Sequence, residues 1–310
     1  MSPNRFATAT VSTGDAPIER TKVVVFVHTG KAAASALLGE LVPWLEERFR
    51  AVQVELDVWR YCQERERRIA EGEGDLEVPG LVVVLGGDGA MLMAVRAFAA
   101  TPVPTLGINF GRVGFLASTP QTRWRDVLEG VLEGRGVIEP RMRLAVEVLS
   151  SGERGIALNE AVVSREPEDA MVSMSLHVGE LLVTNYRADG LIVSTPSGST
   201  AYSLSAGGPI LAPNMLGTVV TPICSQSLAN RPIVLHPEAS LSVRVAEAER
   251  PADVILDGRK FARLAVGETL SIARHPDTFP LLTMPDLDPY RRLRERLGWR
   301  GGLGDGDASS

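Results

Sequence analysis

Val82-Val83-Val84-Leu85-Gly86-Gly87-Asp88-Gly89 decides the fold. Its apolar half reads as a buried parallel strand. Its second half brackets one aspartate with three glycines, which lack a Cβ and let the backbone turn and approach a ligand closely. Ala90 to Ala99 follows, rich in helix formers. Strand, glycine turn and helix N-terminus together make an anion site, because free N–H groups and the positive end of the helix dipole converge. A carboxylate repels phosphate unless a cation intervenes or it takes a proton. Asp88 therefore reads as chemical, with simple helix capping as the competing reading.

Outward from this stretch, strands and helices alternate. Lys22–His28 and Val52–Leu56 read as strands, and Ala32–Phe49 as a helix with Leu37, Leu38, Leu41 and Trp44 on one side. Glu64–Glu73 is charged, helix or loop. Pro104–Asn109 gives a further strand and Gln121–Glu133 an amphipathic helix. The alternation predicts a three-layered, Rossmann-like α/β domain with a parallel sheet over 22–140. Beyond Pro140 strand patterns dominate: Leu144–Leu149, Ile156–Ser164, Val172–Val178, Ile233–Leu235, Leu241–Val245, Asp253–Leu256 and Thr269–Ile272. A β-rich domain is expected over 141–275. A segment over 276–300 closes with a helix returning to the first domain, Asp288 as N-cap and Pro289 at its first position. Arg291, Arg292, Arg294 and Arg296 on that helix read as a solvated face. Residues 1–21 and 301–310 read as a loose and a disordered tail.

Composition narrows the class. The 310 residues are 45% hydrophobic and carry a net charge of -6, so a nucleic-acid partner is not expected. Cys62 and Cys224 give no zinc spacing or disulfide framework, and the four histidines no helical metal pair. No apolar run approaches a membrane span and the first 21 residues lack a signal-peptide pattern, so a cytoplasmic protein with no membrane partner is expected.

Two more segments carry chemistry. Asn159-Glu160 sets an amide beside a carboxylate, a pair able to read a nucleoside: carboxylate on ribose hydroxyls, amide on a base edge. Tyr186-Arg187-Ala188-Asp189-Gly190 runs on to Thr195-Pro196-Ser197-Gly198-Ser199-Thr200-Ala201-Tyr202-Ser203-Leu204-Ser205 and Gly207-Gly208. Its crowded hydroxyls suit polar ligand groups, and Tyr202 could stack on a base. A turn with local capping bonds is the alternative.

These blocks, with Gly107-Ile108-Asn109-Phe110-Gly111-Arg112-Val113-Gly114-Phe115-Leu116, Thr221–Pro232 and Asp257-Gly258, stand in the order found in bacterial-type NAD kinases, which the chain resembles over roughly residues 22–299. The glycine–aspartate block is shared with lipid and sugar kinases. The block from Asp189 to Gly208 is more specific. The resemblance implies an enzyme that phosphorylates the adenosine-ribose 2′-hydroxyl of NAD with ATP, assisted by a divalent metal such as Mg²⁺ whose ligands are unknown. It implies that Asp88 is the catalytic base and that Gly86, Gly87 and Gly89 sit against phosphates. Asn159 and Glu160 would hold the adenosine part, and Asp189 would face the nicotinamide end with Arg187 beside it. Thr200, Ala201, Tyr202, Ser203, Leu204 and Ser205 would line the nucleotide pocket. A homodimer or homotetramer is implied, since a neighbouring subunit often completes the site. The chain departs from the family at Ala90 and Met93, positions commonly threonine and basic, which leaves one phosphate contact either missing or supplied by Arg96 or Arg112. A non-catalytic NAD sensor and a lipid kinase are the alternative readings.

Overall fold

The computed structural model describes residues 18–27, 32–71, 77–111, 114–285 and 289–299, which fall into two compact units. The first comprises residues up to Ala97, Val103–Glu139 and the stretch from Leu281; the second comprises Phe98–Pro102 and Pro140–Pro280.

The first unit is built on a sheet in the order Ala51–Glu55, Lys22–Val27, Leu81–Leu85, Thr105–Asn109, Phe279–Thr283, Val137–Arg141, with the short strand Thr119–Pro120 beside Thr105–Asn109. The first five of these run parallel. Continuous valine and leucine runs suit strands covered on both faces. Val23, Val25, Leu81, Val83, Leu85 and Ile108 pack on one face with Leu41, Trp44 and Leu45 of helix Ala32–Glu46 and with Trp124, Val127 and Leu128 of helix Trp124–Leu132. Trp44 meets Trp124 edge-on at 5.6 Å. The opposite face carries Phe26, against which Tyr61 of helix Val58–Ala70 packs edge-on at 5.2 Å. The expected three layers are present. The stretch over 64–73 resolves as part of helix Val58–Ala70, and the Gln121–Glu133 pattern as a 3₁₀ turn followed by an α-helix.

Strand order reverses at Lys22–Val27: the chain adds Ala51–Glu55 on one side, then Leu81–Leu85 on the other. Crevices at the carboxyl ends of strands flanking such a reversal are where open α/β sheets take ligands. The glycine turn follows Leu81–Leu85 and so lies at that reversal. The strand Phe279–Thr283, which lacked a sequence signal, joins this sheet after the chain has traversed the second unit.

The second unit is two six-stranded antiparallel sheets packed face to face over one apolar core that includes Leu144, Val146, Ala161, Val163, Leu191, Val220 and Val243. One sheet runs Leu181–Ala188, Val172–Val178, Leu241–Glu247, Thr269–Arg274, Leu144–Val148, Glu153–Ala157. The other runs Ile233–Leu235, Thr218–Ile223, Gly190–Ser194, Glu160–Ser164, Ala252–Leu256, Arg259–Leu264. The single strand expected over Ile156–Ser164 is two strands, one in each sheet, broken at Leu158 and Asn159.

The closing helix spans Pro289–Leu297 and belongs to the first unit. The N-cap expected at Asp288 lies outside the described residues. Its arginines are not one solvated face. Arg292 is buried, donates to the Phe115 carbonyl at 3.4 Å and stands 3.9 Å from Glu139. The Arg296 guanidinium lies over the Phe115 ring at 5.9 Å.

Candidate active site

In the first unit the candidate catalytic residue, Asp88, opens helix Asp88–Ala97. Its carboxylate does not cap that helix. Oδ2 accepts the Phe115 N–H at 2.9 Å, and Oδ1 accepts the Leu116 and Ala117 N–H groups, each at 3.0 Å. Three consecutive amides of a loop 27 to 29 residues away therefore fix both oxygens. An ionised carboxylate offers about four acceptor positions, so among the described residues one remains, on Oδ2. Gly114 makes the approach possible, because a Cβ there would lie 2.0 Å from Asp88 Oδ1. Arg292 and Arg296 hold Phe115 from behind, which ties the closing helix to the loop that orients Asp88.

The glycine turn differs in detail from its sequence reading. None of Gly86, Gly87 and Gly89 has a positive φ, so the bend itself does not require glycine. What glycine supplies is space: a Cβ at Gly87 or Gly89 would meet nothing within 4 Å. The turn presents bare backbone at a helix N-terminus, where N–H groups lack intrahelical partners. Arg96 is not available as a phosphate contact. It makes two bonds to Glu66, one of them at 2.8 Å, and lies 5.4 Å from the Trp59 ring, clamping two helices together. Arg112 lies outside the described residues.

In the second unit the same device recurs around Asn159 and Glu160. Oδ2 of Asp257 accepts the Leu158 N–H at 2.8 Å; Oδ1 accepts those of Asn159 at 2.7 Å and Glu160 at 3.1 Å. Asp257 (φ 47°) and Gly258 (φ 79°) form the two-residue turn between Ala252–Leu256 and Arg259–Leu264. Asp-Gly suits such a turn, which needs positive φ at both positions. The Asp257 N–H returns to the Glu160 carbonyl at 3.0 Å. Thr195 takes the remaining carbonyls, with Oγ1 donating to Leu158 at 2.6 Å and the N–H to Asn159 at 2.9 Å. Gly198 packs against the Asn159 backbone so closely that a Cβ would lie 2.0 Å from its carbonyl oxygen. This capture of the backbone is what breaks the strand at Leu158.

Glu160 is buried, and its Oε2 has no hydrogen-bond partner among the described residues. Burial, reinforced by the nearby Asp257 charge and opposed by the Tyr202 N–H, raises its carboxyl from 4.5 to about 8. Burial also pushes Asp257 upward, against the pull of its three N–H donors. A buried acceptor without a donor, beside an amide, favours a ligand that brings hydroxyls.

The hydroxyl-rich loop divides in two. Ser203 is fully buried and shares a hydrogen bond with Thr221 at 2.9 Å; Ser199 bonds Pro196 and Leu211; Thr200 Oγ1 bonds the Ser197 carbonyl at 3.1 Å. These hydroxyls hold the loop's own shape. Tyr202 and Ser205 are exposed, Ala201 and Leu204 half-buried. Thus Glu160 and Tyr202 are brought together, while Asp189 and Arg187 are not with them. Glu160 pairs with Ser194 at one end of the strand Gly190–Ser194, and Asp189 precedes the other end, roughly 15 Å away by strand rise. The partner of Asp189 is Arg165, at 2.6 Å; Arg187 is exposed and 3.7 Å from Glu247. The residues that sequence reasoning left without a role are Gly114, Arg165, Arg292 and Asp257. Only the Asp-Gly turn at Asp257 was visible as a pattern, and a turn signal does not say where its side chain goes.

Among the described residues, no group of three or more His, Cys, Asp or Glu side chains comes together to hold a metal. No described helix is long and apolar enough to cross a membrane.

Residues 23–136 match the family model described as the ATP-NAD kinase N-terminal domain, and residues 158–284 the model for its C-terminal domain. Both halves thus set the class: a two-unit kinase with a parallel α/β half and a β-rich half. Trichlorobacter lovleyi NAD kinase is 35% identical over 286 residues, covering 90% of this chain and 98% of the relative. Rhodopirellula baltica NAD kinase is 39% identical over 226 residues, covering 72% and 73%. The chain belongs to the NAD kinase family, and it is an enzyme; neither the sensor nor the lipid-kinase reading is favoured. Among solved structures, yeast NADH kinase complexed with NADH superposes with a TM-score of 0.78 at 24% identity, covering 93% of this chain and 90% of that one, a likeness of fold. An Archaeoglobus fulgidus NAD kinase in complex with ATP gives 0.65 at 25% identity, covering 90% and 98%.

Proposed function

We propose that this enzyme transfers the γ-phosphoryl group of ATP to the 2′-hydroxyl of the adenosine ribose of NAD, giving NADP and ADP. The observation that carries the reading is the Asp88 carboxylate, fixed by three backbone N–H groups with one acceptor position left on Oδ2. A carboxylate held this way has a single place to receive a hydroxyl proton. As that proton moves to Oδ2, the 2′-oxygen forms its bond to the γ-phosphorus and the bond to the β-γ bridging oxygen breaks, with ADP leaving. The bare backbone of Gly86, Gly87 and Gly89 at the helix N-terminus faces the phosphates. Bound Mg²⁺ would neutralise charge on the donor phosphates, and no residue is assigned to it.

Asn159 and Glu160 read the adenosine part. The unpartnered Glu160 Oε2 takes a ribose hydroxyl, and the exposed ring of Tyr202 offers a surface for the base. Thr200, Ala201, Ser203, Leu204 and Ser205 shape the loop around that ring, Ser203 through its bond to Thr221 rather than by contact. Asp189, oriented by Arg165, and the exposed Arg187 serve the nicotinamide end; their separation from Glu160 suits a dinucleotide lying along the sheet. A homodimer or homotetramer and a cytoplasmic location complete the proposal. The test is NADP formation from NAD, ATP and Mg²⁺ by the full chain and by Asp88→Asn. Turnover in the first and a loss of about 10² to 10⁴ in the second supports it. Equal rates remove Asp88 from the chemistry, and NAD binding without turnover in the unsubstituted chain overturns the kinase reading.

A further inference from the structure

The chain passes between the two units after Ala97, Pro102, Glu139 and Pro280. Within a few residues of each passage stands a group tied to one buried side chain, Arg143 of the second unit. We propose that Arg143 is a positioning residue for the phosphoryl transfer: with His275 it knots these passages together and steadies, from its far end, the helix that Asp88 opens. The proposal rests on the kinase reading for its effect on turnover; the knot itself can be observed without substrate.

Arg143 Nη1 donates to the Ala99 carbonyl at 2.6 Å, Nε to the Asp277 carbonyl at 3.0 Å and Nη2 to His275 Nδ1 at 3.2 Å. The His275 N–H returns to the Arg143 carbonyl at 2.9 Å. Ala99 stands two residues after helix Asp88–Ala97, Arg143 two after strand Val137–Arg141, and Asp277 two before strand Phe279–Thr283. The segment Phe98–Pro102 then runs on to strand Thr105–Asn109. Three short segments of the second unit, each continuous with elements of the first, are therefore bound to one guanidinium. A cation at the carbonyl end of a helix also complements its dipole.

Burying a guanidinium costs more than burying an apolar side chain of the same size. The Asp277 carboxylate offsets little of that cost, since it lies 4.0 Å away and is exposed. What Arg143 meets instead is two carbonyls and a ring nitrogen, a set that fixes three chain directions through one rigid fork. His275 makes the knot titratable. Arg143 Nη2 and the Asp277 N–H, at 3.0 Å, can only donate, so Nδ1 accepts and the neutral ring carries its proton on Nε2. A proton on Nδ1 would remove both bonds and set a second cation beside Arg143. Burial, and then the Arg143 charge, hold the imidazole below its ordinary range, with Asp277 opposing. Phe98–Pro102 brings no charged group, and Arg274, next in the chain, pairs with Glu238. The knot is therefore whole above the usual histidine range and weakens as pH falls below it.

The experiment compares three full-length proteins: the unsubstituted chain, Arg143→Met and His275→Asn. Hydrogen exchange without substrate reads the knot, and amides over residues 88–102 should exchange roughly tenfold faster in Arg143→Met. Its kcat should fall about ten- to hundredfold. Its NAD affinity by calorimetry should hold, because the clasp of Asp257 on Asn159 and Glu160 shares no bond with the knot. Asparagine offers an acceptor near the place of Nδ1 and does not titrate. The ratio of unsubstituted to His275→Asn kcat should therefore fall several-fold from roughly pH 8 to roughly pH 5.5. Unchanged exchange over 88–102, unchanged kcat in Arg143→Met, NAD affinity falling as far as kcat, or a ratio constant with pH each overturns the proposal. If Arg143→Met does not fold, the pH dependence of the ratio decides. Faster exchange in a chain that forms no NADP leaves the knot standing and removes the kinase reading. NADP formation with unchanged exchange removes the knot alone.

Discussion

Replacing Glu160 by Gln tests the electrostatics of the β-rich unit directly. The two side chains have the same shape, and only the first titrates. The Glu160 carboxyl ionises near 4.5 in an open chain and at about 8 in the fold, chiefly through burial and then through Asp257. A folded value raised above the unfolded one gives stability that is complete below pH 4.5 and lost as pH rises towards 8. At 1.36 kcal/mol for each pH unit between the two values, the loss is on the order of 5 kcal/mol. Glutamine keeps the polar contacts and removes the titration. The difference in unfolding free energy between the two proteins should therefore shift by several kcal/mol between pH 5 and pH 9, with the glutamate protein losing ground at high pH. Urea unfolding followed by circular dichroism is the assay, since all four tryptophans lie in the other unit. Parallel curves across that range would refute the reasoning, because they would mean that the carboxyl is solvated or partnered in the fold.

Gly114→Ala sets a methyl 2.0 Å from Asp88 Oδ1; kcat should fall at least tenfold with the KM for NAD nearly unchanged, as steady-state kinetics will report. Gly198→Ala drives a methyl into the Asn159 carbonyl at 2.0 Å, so the larger effect should fall on NAD affinity, read by calorimetry. Asp257→Asn turns an amide N–H₂ towards a backbone donor and leaves at least one buried N–H unpaired, costing about 1–3 kcal/mol in urea unfolding. Arg292→Leu removes the buried bond to the Phe115 carbonyl; turnover should drop while the KM for NAD holds, and equal kinetics would separate the closing helix from Asp88.

What was legible in the sequence was periodic or local. The apolar run before Gly86 gave a strand, the switch to helix formers gave a helix, and alternation beyond Pro140 gave antiparallel sheets. What was not legible depends on partners distant in sequence. Helix capping is the competing reading of Asp88 because the local pattern permits it, yet the oxygens go to a loop 27 to 29 residues on. The run Ile156–Ser164 reads as one strand because every residue suits a strand. It breaks because Asp257, 97 to 99 residues downstream, takes its N–H groups. The arginines of Pro289–Leu297 look like a solvated face, and nothing local marks Arg292 as the one that meets Phe115. The Ser/Thr-rich loop was visible as a loop, but which hydroxyls turn inward depends on Thr221 and Leu211.

The parallel sheet of the first unit takes its strand Phe279–Thr283 from beyond the whole of the second. During synthesis, Thr105–Asn109 therefore emerges from the ribosome with its Thr105–Leu106 edge uncovered, Thr119–Pro120 pairing only at Ile108 and Asn109, and waits while residues 140–280 are made. At 5–20 residues per second that wait is roughly ten to thirty seconds. The amino-terminal half must persist through it as an open-edged intermediate, exposed to pairing with neighbouring nascent chains. Expressing the first 140 residues alone would make that exposure permanent, and a stop codon before Phe279 would leave both halves translated and the first sheet unfinished.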